Sequence, residues 1–148
     1  LAALAWSGTV PDGGVRTGGG AGEWRLLTDA VDREVSGWGV GADGTVYFTA
    51  EDAGHEKLYV VPRGRPARLA FPMEAGAYTS LAVASRSRTP VLVARWESAV
   101  NPAELVRLDP ARGHSVLTQF AAKRAAALPW QPVEHFWFTA PNGRRVHN

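Results

Sequence analysis

Val35-Ser36-Gly37-Trp38-Gly39-Val40, the turn Ala42-Asp43-Gly44, Val46-Tyr47-Phe48-Thr49-Ala50, Lys57-Leu58-Tyr59-Val60-Val61 and the exit Ala67-Arg68-Leu69-Ala70 follow one another as strand, tight polar turn, two further strands and a Leu-bearing close. Alternation puts Val46, Phe48 and Ala50 on one side and Tyr47 and Thr49 on the other, so the strand meets two environments. The unit then recurs. Leu81-Ala82-Val83-Ala84, the turn Ser87-Arg88-Thr89-Pro90, Val91-Leu92-Val93-Ala94-Arg95-Trp96, Ala103-Glu104-Leu105-Val106-Arg107-Leu108 and Ser115-Val116-Leu117-Thr118 keep the same order. Four short strands in a period of about 40 to 50 residues is the pattern of a β-propeller blade, a wedge that cannot bury both faces alone. The expected fold is all-β: a partial propeller of two full four-stranded blades with partial flanking blades.

Outward from these copies the pattern weakens in two ways. Toward the N-terminus, Leu1 to Trp6 reads as an apolar strand closing on Pro11-Asp12-Gly13-Gly14, a hairpin turn with φ > 0 chemistry. Asp43 precedes the exit Leu69 by 26 positions, but Asp12 precedes Leu27 by only 15, and Thr17 to Gly22 fills part of that gap with glycine. Residues 1–29 are therefore expected to be a partial blade with a Gly-rich connection, followed by blades at 30–72 and 73–120. The second blade carries a longer link, Glu97 to Pro102, between its second and third strands. Beyond Phe120, Ala121 to Leu128 has helix-forming composition stopped by Pro129 and Pro132. Val133 to Ala140 then reads as a strand, Pro141-Asn142-Gly143 as a turn, and Arg144 to Asn148 as a returning strand cut short. Residues 121–148 are thus read as a linker and exit strand.

Composition narrows the partners. The 148 residues contain 16 Gly and 10 Pro, turn punctuation suited to many short strands, and no apolar run long enough to span a bilayer. A net charge of +2 comes with acidic residues interleaved among the Lys and Arg, so no cationic face is expected, and neither nucleic acid nor a membrane is an expected partner. The absence of cysteine removes disulfides and thiolate chemistry. No basic segment followed by an apolar stretch opens the chain, so no secretory signal is assigned, and the compartment stays open between cytoplasm and periplasm.

Three segments carry a family resemblance. Leu26-Leu27-Thr28-Asp29 with Asp32-Arg33-Glu34-Val35 precedes a Trp and an Asp-Gly turn; Asn101-Pro102-Ala103-Glu104-Leu105 leads to Val116-Leu117-Thr118; and Glu134-His135-Phe136-Trp137-Phe138 runs through Asn142-Gly143-Arg144-Arg145-Val146-His147. Together they resemble the prolyl oligopeptidase family of serine peptidases, in its acylaminoacyl peptidase and dipeptidyl aminopeptidase branch. The resemblance spans roughly residues 23–148. It implies that the aromatic exit strand leads from the final propeller blade into an α/β-hydrolase domain of the same parent chain, which holds a Gly-x-Ser-x-Gly elbow and its triad partners.

The residues themselves offer no such machinery. Gly113-His114-Ser115 is followed by Val116-Leu117 where an elbow requires glycine, and adjacent His and Ser point apart in a strand, so Ser115 reads as a turn residue. Ser7 in Trp6-Ser7-Gly8 fares no better. His55, His114, His135 and His147 are dispersed without metal-ligand spacing, and read as surface residues. His135 alone stands out, because alternation places it on the face of Trp137 and Thr139. Glu51, Asp52 and Glu56 around Gly54 lack the alternating oxygens of a calcium loop and read as a solvated loop. Trp38, Trp96 and Trp137 are expected to pack sheet against sheet, whereas Trp24 and Trp130, beside turns, are expected to be exposed. Asp32-Arg33 reads either as a surface ion pair or, as the family pattern hints, as a strand-linking pair between blades, and the second is preferred. No catalytic, cofactor or metal residue is expected.

The resemblance implies the function of a fragment of the substrate-gating propeller of a serine exopeptidase or oligopeptidase acting on short peptides, itself lacking the triad and inactive alone. The alternative is a stand-alone propeller scaffold for protein–protein interaction. The aromatic exit strand and the Pro-broken linker argue against that alternative.

Overall fold

The computed structural model describes residues 1–4 and 24–147. The expected turn at Pro11 to Gly14, the glycine run, Trp6 and Ser7 lie outside them, as does the side chain of Trp24. Ten strands and one short helix order themselves behind a small leading ladder of β1 (Ala2–Leu4) and β2 (Trp24–Leu26). β3 (Val35–Val40), β4 (Val46–Asp52), β5 (His55–Val61) and β6 (Arg68–Leu69) form an antiparallel meander. β7 (Ala77–Val83), β8 (Leu92–Ser98), β9 (Asn101–Asp109) and β10 (Gly113–Val116) form a second. One parallel bridge, Glu56 to Ala77, joins them. After the helix α1 (Ala122–Ala125), β11 (Trp137–Thr139) and β12 (Arg145–His147) make a separate hairpin.

The alternation read in β4 explains how the layers stack. Tyr47, Leu58 and Val60 meet Tyr78, Leu92, Ala94, Val106 and Leu108 of the second meander in one core cluster. Val46, Phe48, Ala50, Tyr59 and Val61 turn the other way into a second cluster, covered by Leu1, Leu27, Val31 and Val35. The first meander is thus a middle layer, and every residue from Val46 to Ala50 is buried. A strand with two apolar faces requires a neighbour on each side.

Close approach between the meanders depends on glycine. A Cβ at Gly39 would lie 2.6 Å from Val83 Cγ2 and 2.8 Å from Val83 Cβ, and no rotamer of Val83 moves its Cβ. Gly39→Ala is therefore expected to lower stability by about 1–3 kcal/mol, the usual cost of overpacking. In urea denaturation Val83→Gly, which removes both clashing atoms, should recover part of that loss in the double variant; strict additivity would remove the contact as its cause.

Local chemistry sets the turns. Asp43 Oδ1 accepts the Thr45 N–H at 3.0 Å and Oδ2 accepts its hydroxyl at 2.9 Å, with Gly44 at φ 80°. Glu51, Asp52 and Glu56 do not form the expected loop. They flank a two-residue hairpin in which Ala53 and Gly54 have φ of 55° and 79°, the type I′ requirement, and Glu51 Oε1 accepts the Gly54 N–H at 2.7 Å.

Other boundaries move for identifiable reasons. The expected link at Glu97 to Pro102 is a two-residue turn at Ala99–Val100, because Ser98 pairs with Asn101 and its hydroxyl accepts from Val100 N and Asn101 Nδ2. β7 starts at Ala77 rather than Leu81: Ser80, at φ 54°, sits in an irregularity between Thr79 and Ala82 that interrupts the alternation. The strand expected from Val133 is regular only from Trp137 to Thr139, where it has a partner in β12.

Candidate functional site

Among the described residues, those from Val116 onward are mostly exposed and carry Phe120, Trp130, Phe136, Trp137 and Phe138. The segment leaving β10 is pinned by one carboxylate. Glu104, buried in β9, accepts from the Thr118 hydroxyl at 2.5 Å and the Phe120 N–H at 3.0 Å through Oε2, and from the Ala121 N–H at 3.0 Å through Oε1. These bonds, that of Ala121 foremost, hold its carboxyl below the usual range. Beyond it, α1 and the following turn fold back so that Trp96, Pro102, Glu104, Ala122, Leu128 and Trp130 border an open groove of about 520 Å³. The Trp130 indole N–H donates to the Ala125 carbonyl at 2.8 Å and leaves the ring 40% exposed, as expected of it.

The histidines are not dispersed. The His135 ring lies edge-on to His55 at 4.9 Å and stacks on His147 at 5.3 Å with 6° between planes; His147 in turn sits 4.8 Å from Trp137. Arg145 covers the Trp137 ring at 4.8 Å. Distance in sequence hid this cluster, but hairpin register would have found part of it. Counting outward from Asn142 pairs Trp137 with His147, and the alternation that links His135 to Trp137 then brings both imidazoles to one face. His55 does not follow from register, because its contact with His135 depends on two hairpins far apart in sequence meeting. Burial, and then the nearby His135, Lys57 and His147, hold the His55 imidazole below its ordinary range, against a backbone hydrogen bond with Gly76 that favours the cation.

The fourth histidine has a different setting. His114 Nδ1 lies 2.5 Å from the Tyr78 hydroxyl, and its ring packs 4.7 Å from Trp96. Burial pushes Tyr78 up to about 12 and His114 down, so both groups are neutral and share one hydrogen bond whose direction follows the imidazole tautomer. Ser115, the next residue of β10, pairs with Arg107 of β9 and is exposed, its side chain alternating away from that ring.

Two further expectations are corrected. Trp38 and Trp137 are 59% and 54% exposed rather than packed between sheets; only Trp96 of the three leans on the core. Arg33 does not pair with the Asp32 side chain. It donates to Asp52 Oδ1 at 2.8 Å, across to the end of β4, where Lys57 holds Oδ2 at 2.7 Å. The reach is longer because the Arg33 guanidinium contacts only the backbone carbonyl of Asp32. Among the described residues no group of three His, Asp or Glu is arranged to hold a metal ion, and no helix is long and apolar enough to cross a membrane.

No protein-family model and no curated protein matches the sequence. Solved structures do. Pyrococcus horikoshii acylaminoacyl peptidase superposes with a TM-score of 0.67 at 23% identity, over 84% of this chain and 19% of its own. An acylaminoacyl peptidase in complex with Z-Gly-Gly-Phe-chloromethyl ketone gives a TM-score of 0.68 at 24% identity, over 86% of this chain and 19% of that one. The chain has the all-β fold of a propeller segment of such a peptidase. It spans about a fifth of the length of these structures, and the likeness at this identity is one of fold.

Proposed function

We propose that the chain is a segment of the substrate-gating propeller of a serine peptidase of the prolyl oligopeptidase family, acting on short peptides and holding no triad of its own. The observation that carries the reading is the likeness to acylaminoacyl peptidase over 84–86% of the chain. On this reading residues 30–72 and 73–120 are two blades and residues 1–29 part of a preceding one. Residues 121–148 lead to an α/β-hydrolase domain of the same parent chain, which supplies nucleophile, base and oxyanion donors.

The exposed aromatic exit supports that assignment. Phe136, Trp137 and Phe138 are each about half exposed in succession, and Val133 and Val146 lie open beside them. Contiguous apolar surface of this kind fits a covering domain. A propeller in this position admits short peptides and excludes folded proteins by size.

The chain alone is expected to give no turnover of chromogenic acyl-amino-acid or dipeptidyl substrates and no labelling by an active-serine reagent. Turnover that such a reagent abolishes would overturn the assignment of the chemistry to another domain.

A further inference from the structure

The hairpin β11–β12 pairs only with itself, and its described contact with the main sheet passes through imidazoles. His55 opens β5 at the type I′ turn, His135 precedes β11 and His147 closes β12, so the three rings come from both sides of one junction. A Cβ placed on Gly54 would lie 3.5 Å from His135 Cε1 and 3.8 Å from His147 Cε1, which puts both rings against the turn itself.

We propose that His55, His135 and His147 form a proton-operated latch that seats the β11–β12 hairpin on the β4–β5 turn when the rings are neutral and releases it when they become charged.

The surrounding charges favour release on protonation. On β5, Lys57 adds positive charge near His55. On β12, Arg145 adds a cation over Trp137, the ring that touches His147. Carboxylates close in sequence are occupied or turned elsewhere: Asp52 is held by Arg33 and Lys57, Glu51 accepts the Gly54 N–H, and a Glu56 carboxyl oxygen is buried without a partner. Glu134 and His135 are both exposed, so solvent screens the charge of each, while His55 and His147 are half-buried. The described groups that bear on His55 include no anion. Two imidazolium rings at about 5 Å repel, and His135 stands between the other two. A seated state that binds protons less readily than the released state loses population as pH falls. The parallel His135 and His147 planes set these rings side by side rather than around a common point, which fits a stack and not a metal cage. The latch stands independently of the peptidase assignment, because it concerns only how this hairpin is held.

The chain has no cysteine, so Glu34→Cys and Arg144→Cys give two unique exposed sites for nitroxide labels, one immediately before β3 and one at the hairpin tip. Electron paramagnetic resonance at pH 7.5 should give one narrow distance. At pH 5 a longer, broader component should grow roughly tenfold, the scale expected for like charges at ring contact. His135→Phe keeps an aromatic ring in the stack without a titrating group, and should hold the narrow distance at both pH values. An unchanged distance in the parent chain, or the same acid response in His135→Phe, would overturn the latch. Loss of the β signal in far-UV circular dichroism over the same range would place the response in the core and overturn it equally.

Discussion

Phe48→Ala is expected to lower folding stability by about 3–5 kcal/mol, the range for truncating a fully buried aromatic side chain. Phe48 is 0% exposed and stacks on Tyr59 with ring centroids 5.1 Å apart. It sits at the centre of the cluster between the first meander and the leading residues Leu1, Leu27, Val31 and Val35. Truncation there leaves a cavity that two sheets cannot close without giving up their register. A small domain has only about 5–15 kcal/mol in total, so much of the population should be unfolded at moderate urea concentration. A loss below about 1 kcal/mol in equilibrium urea denaturation would show that the face of the first meander holding Phe48 does not support the fold.

Tyr78→Ala should cost a similar amount, about 3–5 kcal/mol, on the opposite face. Tyr78 is 1% exposed, meets Phe71 edge-on at 6.0 Å and reaches His114 through its hydroxyl. Tyr78→Phe separates the two contributions. It keeps the ring and removes only the hydrogen bond, so about 0.5–1.5 kcal/mol should be lost. Burial of His114 also gives stability a pH dependence with a definite sign. The folded His114 imidazole is held below its ordinary range, so the unfolded chain takes up the proton first. Stability is complete at pH above the ordinary imidazole range and falls as pH drops through it. Tyr78→Phe keeps the ring against His114 and should leave most of that acid loss in place, whereas Tyr78→Ala, which opens the site to water, should shrink it. A pH profile identical in slope in the parent and in Tyr78→Ala would show that burial does not set the proton affinity of His114.

The period of strands and turns around Val46 to Ala50 was legible because alternation writes two buried faces directly into residue order. The Asp43-Gly44 and Asn142-Gly143 turns were legible for the same local reason: side-chain oxygens and a positive φ act within two or three residues. Register across irregularities was not. Ser80 breaks the alternation of β7 with a backbone conformation that nothing in the composition announces, which hid Ala77 to Thr79 from a reading based on period. Arg33 illustrates a second limit, since its neighbour Asp32 was a closer candidate in sequence than Asp52, which folding brings within 2.8 Å. The histidine stack was missed because three rings separated by 80 and 12 positions meet only when two hairpins do. Trp38 and Trp137 were assigned to the core by residue type; their exposure depends on whether a further layer covers them.

Layers that need neighbours on both sides should also seek them in solution. Leu105, Val116, Leu117 and Phe120 lie 42–79% exposed on and beyond the outer strands of the second meander, and Phe136 to Phe138 lie open past them. Multi-angle light scattering over a concentration series tests this most directly. An open segment of a stacked array should show an average mass that climbs above that of one chain as concentration rises. A constant monomer mass at every concentration would contradict it.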